Sequence, residues 1–92
     1  MAVTVLIPAP LRRFTNEVSS VQIEASTVGE ALTALDAQFP GIRERICDAD
    51  GRLRRFVSVF VNGRDVRSLQ GLETPLREGD EVGIIPAMAG GR

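Results

Sequence analysis

One capped, amphipathic segment at residues 27–39 interrupts a chain whose other ordered stretches are short β-branched runs. Thr27-Val28-Gly29-Glu30 has capping-box spacing: the Thr27 hydroxyl is placed to accept from the Glu30 N–H, and the Glu30 carboxylate to reach back to Thr27. Behind this cap, Val28, Ala31, Leu32, Leu35 and Phe39 recur at helical spacing. At about 100° per residue they fall in a stripe roughly 100° wide. Phe39-Pro40-Gly41 ends the pattern. A helix with one apolar face needs a second layer to cover that face, and the rest of the chain offers strands.

Val3-Thr4-Val5-Leu6-Ile7 is β-branched and closed by Pro8. After a polar turn at Thr15-Asn16-Glu17, residues 18–25 alternate, with Val21, Ile23 and Ala25 on one side and Gln22 and Glu24 on the other. Phe56-Val57-Ser58-Val59-Phe60-Val61 is the clearest strand, and Asn62-Gly63 behind it suits the two positive-φ positions of a type I′ hairpin turn. Arg64 to Arg67 then reads as a short return strand, residues 69–76 as irregular, Glu78-Gly79-Asp80 as a tight turn, and Glu81 to Ile85 as the last strand before Pro86. Between helix and third strand, residues 42–46 read as a short helical turn and Asp48-Ala49-Asp50-Gly51 as a loop; its Asp pair lacks the later Glu that a calcium loop needs.

The order is ββαββ followed by a final β. Two hairpins and one crossover helix assemble into a mixed sheet of four to five strands, with the first and last strands adjacent and parallel and the main helix on one face. This is an α+β, β-grasp (ubiquitin-like) arrangement. Residues 1–86 are expected to be the domain, and residues 87–92, Ala-Met-Ala-Gly-Gly-Arg, a flexible tail.

Composition removes several chemistries. The chain of 92 residues has no histidine, which excludes Ser/His and Cys/His catalytic pairs and imidazole metal ligands. A lone Cys47 forms no internal disulfide and no thiolate zinc site. All 11 basic residues are arginine, so the chain offers no ε-amine as an acceptor for copies of itself. With a formal net charge of −1 and no long single-sign run, no nucleic-acid partner is expected. No apolar run approaches the ~20 residues of a membrane span. Met1-Ala2-Val3-Thr4 carries no basic region ahead of an apolar run, so neither a signal peptide nor a membrane location is expected and the cytoplasm is.

Three stretches carry a family likeness: Val59-Phe60-Val61-Asn62-Gly63, then Leu76-Arg77-Glu78-Gly79-Asp80-Glu81-Val82, then Pro86-Ala87-Met88-Ala89-Gly90-Gly91. In this order they resemble the MoaD/ThiS-like ubiquitin-fold sulfur carriers. Arg55-Phe56-Val57 and Asp65-Val66-Arg67 extend the likeness toward the cysteine-biosynthetic members of that family. The resemblance implies a carrier rather than an enzyme. An E1-like adenylating enzyme uses ATP to activate the carboxylate of the last glycine, and a sulfur donor displaces AMP to leave a thiocarboxylate. A sulfur-acceptor enzyme, cysteine synthase-like in the favoured pathway, then takes the sulfur. No cofactor or metal is expected on the chain itself.

The tail residues fit that chemistry. A carboxylate is a poor electrophile and an acyl-adenylate a good one. Glycine at the reacting carbon has no Cβ to block attack, and Gly90-Gly91 makes a slim thread. The five residues after Pro86 extend about 17 Å to Gly91. Arg92 departs from the family pattern, because it ties the Gly91 carboxyl into a peptide bond. The expectation is that a peptidase, such as a metallohydrolase that cuts after Gly-Gly, removes Arg92; the alternatives are an artificial addition or an activating enzyme that tolerates it.

If Val57, Val59 and Val61 face the helix, Phe56 and Phe60 face the open side of the sheet, with Leu6 and Ile85 beside them. Phe60, Leu6, Ile85 and Met88 are then the partner-binding candidates. A bulge or a covering loop would hide the same patch, and the sequence leaves both open. Cys47 reads as a small residue packed behind the 42–46 turn, with a redox thiol or persulfide acceptor as the alternative. Arg52, Arg54 and Arg55 either steer an acidic partner or form a solvated loop. The competing functions are a ubiquitin-like modifier joined to lysines, a carrier for molybdopterin, thiamine or tRNA thiolation, and a non-covalent interaction domain with no need for a free Gly-Gly end.

Overall fold

The computed structural model describes residues 1–86. They form a five-stranded sheet in the order β2-β1-β5-β3-β4, from β1 (Ala2–Leu6), β2 (Ser20–Glu24), β3 (Val57–Val61), β4 (Arg64–Asp65) and β5 (Glu81–Pro86). β1 pairs antiparallel with β2 and parallel with β5, and β5 pairs antiparallel with β3. The first and last strands are therefore neighbours in the middle of the sheet, as the β-grasp reading requires. The main helix α1 (Val28–Gln38) covers one face, and a one-turn α2 (Arg43–Ile46) follows it.

The core lies between α1 and that face. Val28, Ala31, Leu32 and Leu35 bury the stripe read from the sequence, against Val3 and Val5 of β1, Ile23 of β2, Val57, Val59 and Val61 of β3, and Val82 and Ile84 of β5. Alternation places these strand residues on one face, and each large side chain so buried contributes about 1.5–3 kcal/mol. Phe39 is only partly buried, because it is the C-cap of α1 rather than part of its last turn, and it packs against the edge of the core. At the other end the Thr27 hydroxyl accepts from Glu30 N at 3.2 Å. The return contact differs from the expected capping box: Glu30 Oε1 accepts from Ser26 N at 2.8 Å, while Thr27 is held in a β-bridge with Pro75.

Two segments depart from the sequence reading. Ala9–Phe14 is a 3-10 turn that buries Leu11; Pro8 and Pro10 punctuate it and mask any helical period. The expected return strand to Arg67 stops after Asp65, because the Asp65 carboxylate accepts from Arg67 N at 2.8 Å and starts a 3-10 turn over Val66–Ser68. Another 3-10 turn, Gly71–Glu73, lies in the irregular stretch.

The two turn signals of the sequence are joined to each other. Asn62 takes φ 50 and Gly63 φ 88, the left-handed pair that the hairpin demands. The Asn62 side chain donates through Nδ2 to Asp80 Oδ1 at 2.9 Å and accepts at Oδ1 from Glu81 N at 2.9 Å. Asp80 Oδ2 also accepts from Arg77 N at 2.8 Å. The β3–β4 hairpin is thus clamped to the turn that launches β5, and this fixes where the tail-bearing strand starts.

Candidate functional site

β5 is the middle strand of five and runs directly into the tail. Its course is set by β1 on one side, where Leu6 pairs with Gly83, and by β3 on the other, where Phe60 pairs with the same Gly83. Val57 pairs with Pro86, so the start of β3 lies beside the last described residue of β5, while the pairing with β1 ends three residues earlier at Gly83.

The phase expected from the valines holds: Val57, Val59 and Val61 face α1, and Phe60 lies on the open face. Leu6 is 39% exposed and Ile85 56% exposed on that face, while Phe60 is partly buried between its neighbours. No described loop hides Leu6 or Ile85. Phe56 is also exposed, but it sits in the turn ahead of β3, so Phe60 alone of the two phenylalanines is carried by the strand. Met88, Gly90, Gly91 and Arg92 lie outside the described residues.

One contributor was missed from the sequence. Gly83 lies mid-strand with no positive φ, and a Cβ added to it meets nothing within 4 Å. Neither conformation nor internal packing calls for glycine there. Its effect is external: between Leu6 and Phe60 the open face has a bare floor. A glycine inside a strand pattern was the available signal, since such a residue often marks close approach of another backbone or ligand.

Cys47 is a free thiol, 2% exposed. Burial pushes its pKa up; the nearby Arg43 opposes this and Asp48 adds to it. It lacks the lowered pKa of a reactive cysteine, in agreement with the packing role. Among the described residues no group of three or more His, Cys, Asp or Glu is placed to hold a metal ion. No described helix is long and apolar enough to cross a membrane. What remains among the described residues is an apolar open face around β5, the strand that precedes residues 87–92 in the chain.

Residues 5–91 match the ThiS family. Sulfur carrier protein CysO of Mycobacterium tuberculosis is 45% identical over 93 residues, covering 99% of this chain and 100% of that protein. Small archaeal modifier protein 3 of Haloferax volcanii is 41% identical over 66 residues, 72% of this chain and 71% of that one. Among solved structures, a chain of the Amycolatopsis orientalis BexX/CysO complex superposes with a TM-score of 0.92 at 41% identity, over 98% of this chain and 100% of that one. With the family model matched over residues 5–91 and the CysO proteins over nearly its whole length, the chain belongs to the ThiS family of ubiquitin-fold sulfur carriers.

Proposed function

We propose that the chain carries sulfur as a thiocarboxylate on Gly91, with Gly90 as the slim approach to it. An E1-like adenylating enzyme joins the Gly91 carboxylate to AMP from ATP and releases pyrophosphate. A sulfur donor then attacks the acyl carbon, AMP leaves, and a C–S bond replaces a C–O bond. The chain is a co-substrate in this sequence and supplies no catalytic group and no cofactor. It acts in the cytoplasm, where ATP is available. The observation that supports the reading is the placement of β5, the strand ahead of the Gly-Gly tail, between Leu6 and Phe60, which leaves an apolar face open on the strand that carries the tail.

Arg92 is removed first, by a peptidase such as a metallohydrolase, because a peptide carbonyl cannot be adenylated. Leu6, Phe60, Ile85 and, from the tail, Met88 form the surface that meets the adenylating enzyme. Likeness to a protein called CysO supports cysteine synthesis as the pathway. There the thiocarboxylate attacks an activated serine derivative on a cysteine synthase-like enzyme, and an acyl shift leaves a carrier–cysteine adduct for a hydrolase to cut. The test is intact mass after incubation of the thiocarboxylate form with that acceptor enzyme and the serine derivative. A cysteine adduct on Gly91 is expected; transfer only to a molybdopterin, thiamine or tRNA acceptor would reassign the pathway.

The likeness to a small archaeal modifier protein supports a second reading, conjugation of Gly91 to lysines of other proteins. Tryptic peptides bearing a glycine remnant on lysine, dependent on the adenylating enzyme, would establish it.

A further inference from the structure

The arginines are not spread evenly over the fold. Arg13 and Arg45 place their guanidinium carbons 5.1 and 4.7 Å from the centre of one ring, Phe14. The adjoining Arg12 donates through Nε to Ile7 O at 3.0 Å, at the end of β1. Arg54 donates through Nε to Glu44 O at 2.9 Å, next to Arg45. Arg55 is exposed two residues ahead of Val57, the residue paired with Pro86. Because β1 and β5 run parallel, the end of β1, the Ala9–Phe14 turn and the start of β3 lie at the end of the sheet from which the tail departs.

None of these charges is held in an ion pair. Among the described residues the ion pair is that of the Met1 amine with Glu24 at 3.4 Å, so none of the five guanidinium groups is neutralised by a carboxylate. Two cations held on one phenyl ring repel each other, although the ring attracts each. Four acids lie at the opposite end: Glu24 meets Met1, Glu78 accepts from Ala2 N at 3.0 Å, and Asp80 and Glu81 flank the start of β5; Glu17, Glu44 and Asp48 lie near the arginines without pairing with them. Five guanidinium groups against the carboxylates of Glu17, Glu44 and Asp48 leave an excess of positive charge at the end of the sheet where β5 finishes, within a formal net charge of −1.

We propose that Arg12, Arg13, Arg45, Arg54 and Arg55 form a basic collar at the root of the tail that docks on an acidic rim around the channel of the enzyme receiving it. This rests on the carrier reading. The excess turns the molecule tail-first toward a negative surface, and the collar engages that rim as the tail enters. Such complementarity acts on encounter and orientation more than on the chemical step. A protein surface fits better than a nucleic acid, because Phe14, the aromatic of the cluster, is partly buried against the core and already stacked with guanidinium groups rather than presented for a base.

The test is carrier-dependent ATP–pyrophosphate exchange by the adenylating enzyme of the same organism, with its KM and kcat for the Gly91-terminated chain. Arg13→Glu/Arg45→Glu should raise KM about tenfold or more and leave kcat within about twofold. Arg55→Glu, at an exposed position, should act in the same direction. Arg64→Glu/Arg77→Glu, an equal charge change at the acidic end, should leave KM within about twofold, and added salt should raise the wild-type KM but not that of the collar variant. Circular dichroism melts check that each variant is folded. Equal KM values for folded collar variants and wild type overturn the collar while the carrier reading stands. So does binding of total tRNA that the collar reversal abolishes with KM unchanged. If the unaltered chain supports no exchange, the carrier reading fails and the collar falls with it.

Discussion

Leu6 and Phe60 flank the same residue, Gly83, each pairing with it from a neighbouring strand, so the open face of the sheet has two apolar walls and a bare floor. Phe60→Ala should weaken association with the adenylating enzyme by about 2 kcal/mol, roughly thirtyfold in Kd, and leave the domain folded. Calorimetric titration with a denaturant melt alongside separates the two effects. Unfolding by Phe60→Ala would make Phe60 a core residue instead.

Gly83 allows a sharper test, because folding and docking should move in opposite directions. Gly83→Ala should hold or raise stability, by about 0.5–1 kcal/mol, since glycine in a strand interior is disfavoured. Gly83→Val should fill the floor and weaken association with the enzyme more than alanine does. Undiminished binding by the valine variant would show that nothing enters the gap.

The scaffold prediction concerns Leu32, which is fully buried under the sheet. Leu32→Ala should cost about 2–5 kcal/mol in a denaturant melt. A loss below about 1 kcal/mol would contradict the packing of α1 described above.

Asp80 makes part of the stability pH-dependent. Its carboxyl is held below the ordinary range, first by the hydrogen bond from Arg77 N and then by that from the Asn62 side chain. A depressed folded pKa contributes stability that is present above the unfolded value and is lost as pH falls through the folded one. Asp80→Asn should therefore be less stable than wild type near neutral pH, and the gap should close in acid below the ordinary carboxylate range. A gap that stays constant with pH would contradict the clamp.

Much of this was legible in the sequence wherever the signal was local. The α1 stripe from Val28 to Leu35, the Asn62-Gly63 turn and the inward phase of Val57, Val59 and Val61 each depend on spacing within one element, and that phase put Phe60 on the open face beside Leu6 and Ile85. What escaped depends on contacts between segments remote in the chain. Gly83 gains its meaning from register with both Leu6 and Phe60. Asn62 and Asp80 each announce a turn, but nothing in either signals that they bond to each other. Arg13 and Arg45 meet only because α2 folds onto the Ala9–Phe14 turn, a turn whose prolines conceal it.

The central claim is that Gly91 is the atom-bearing end of a sulfur carrier. Its most direct test is intact mass spectrometry of chains ending at Gly91 and at Arg92, each incubated with the adenylating enzyme, ATP and a sulfur donor. The account predicts replacement of one oxygen by one sulfur on the Gly91-terminated chain, dependent on ATP, and none on the chain that keeps Arg92 until a peptidase removes it. No sulfur on the Gly91-terminated chain, or equal conversion of the chain that retains Arg92, would contradict it.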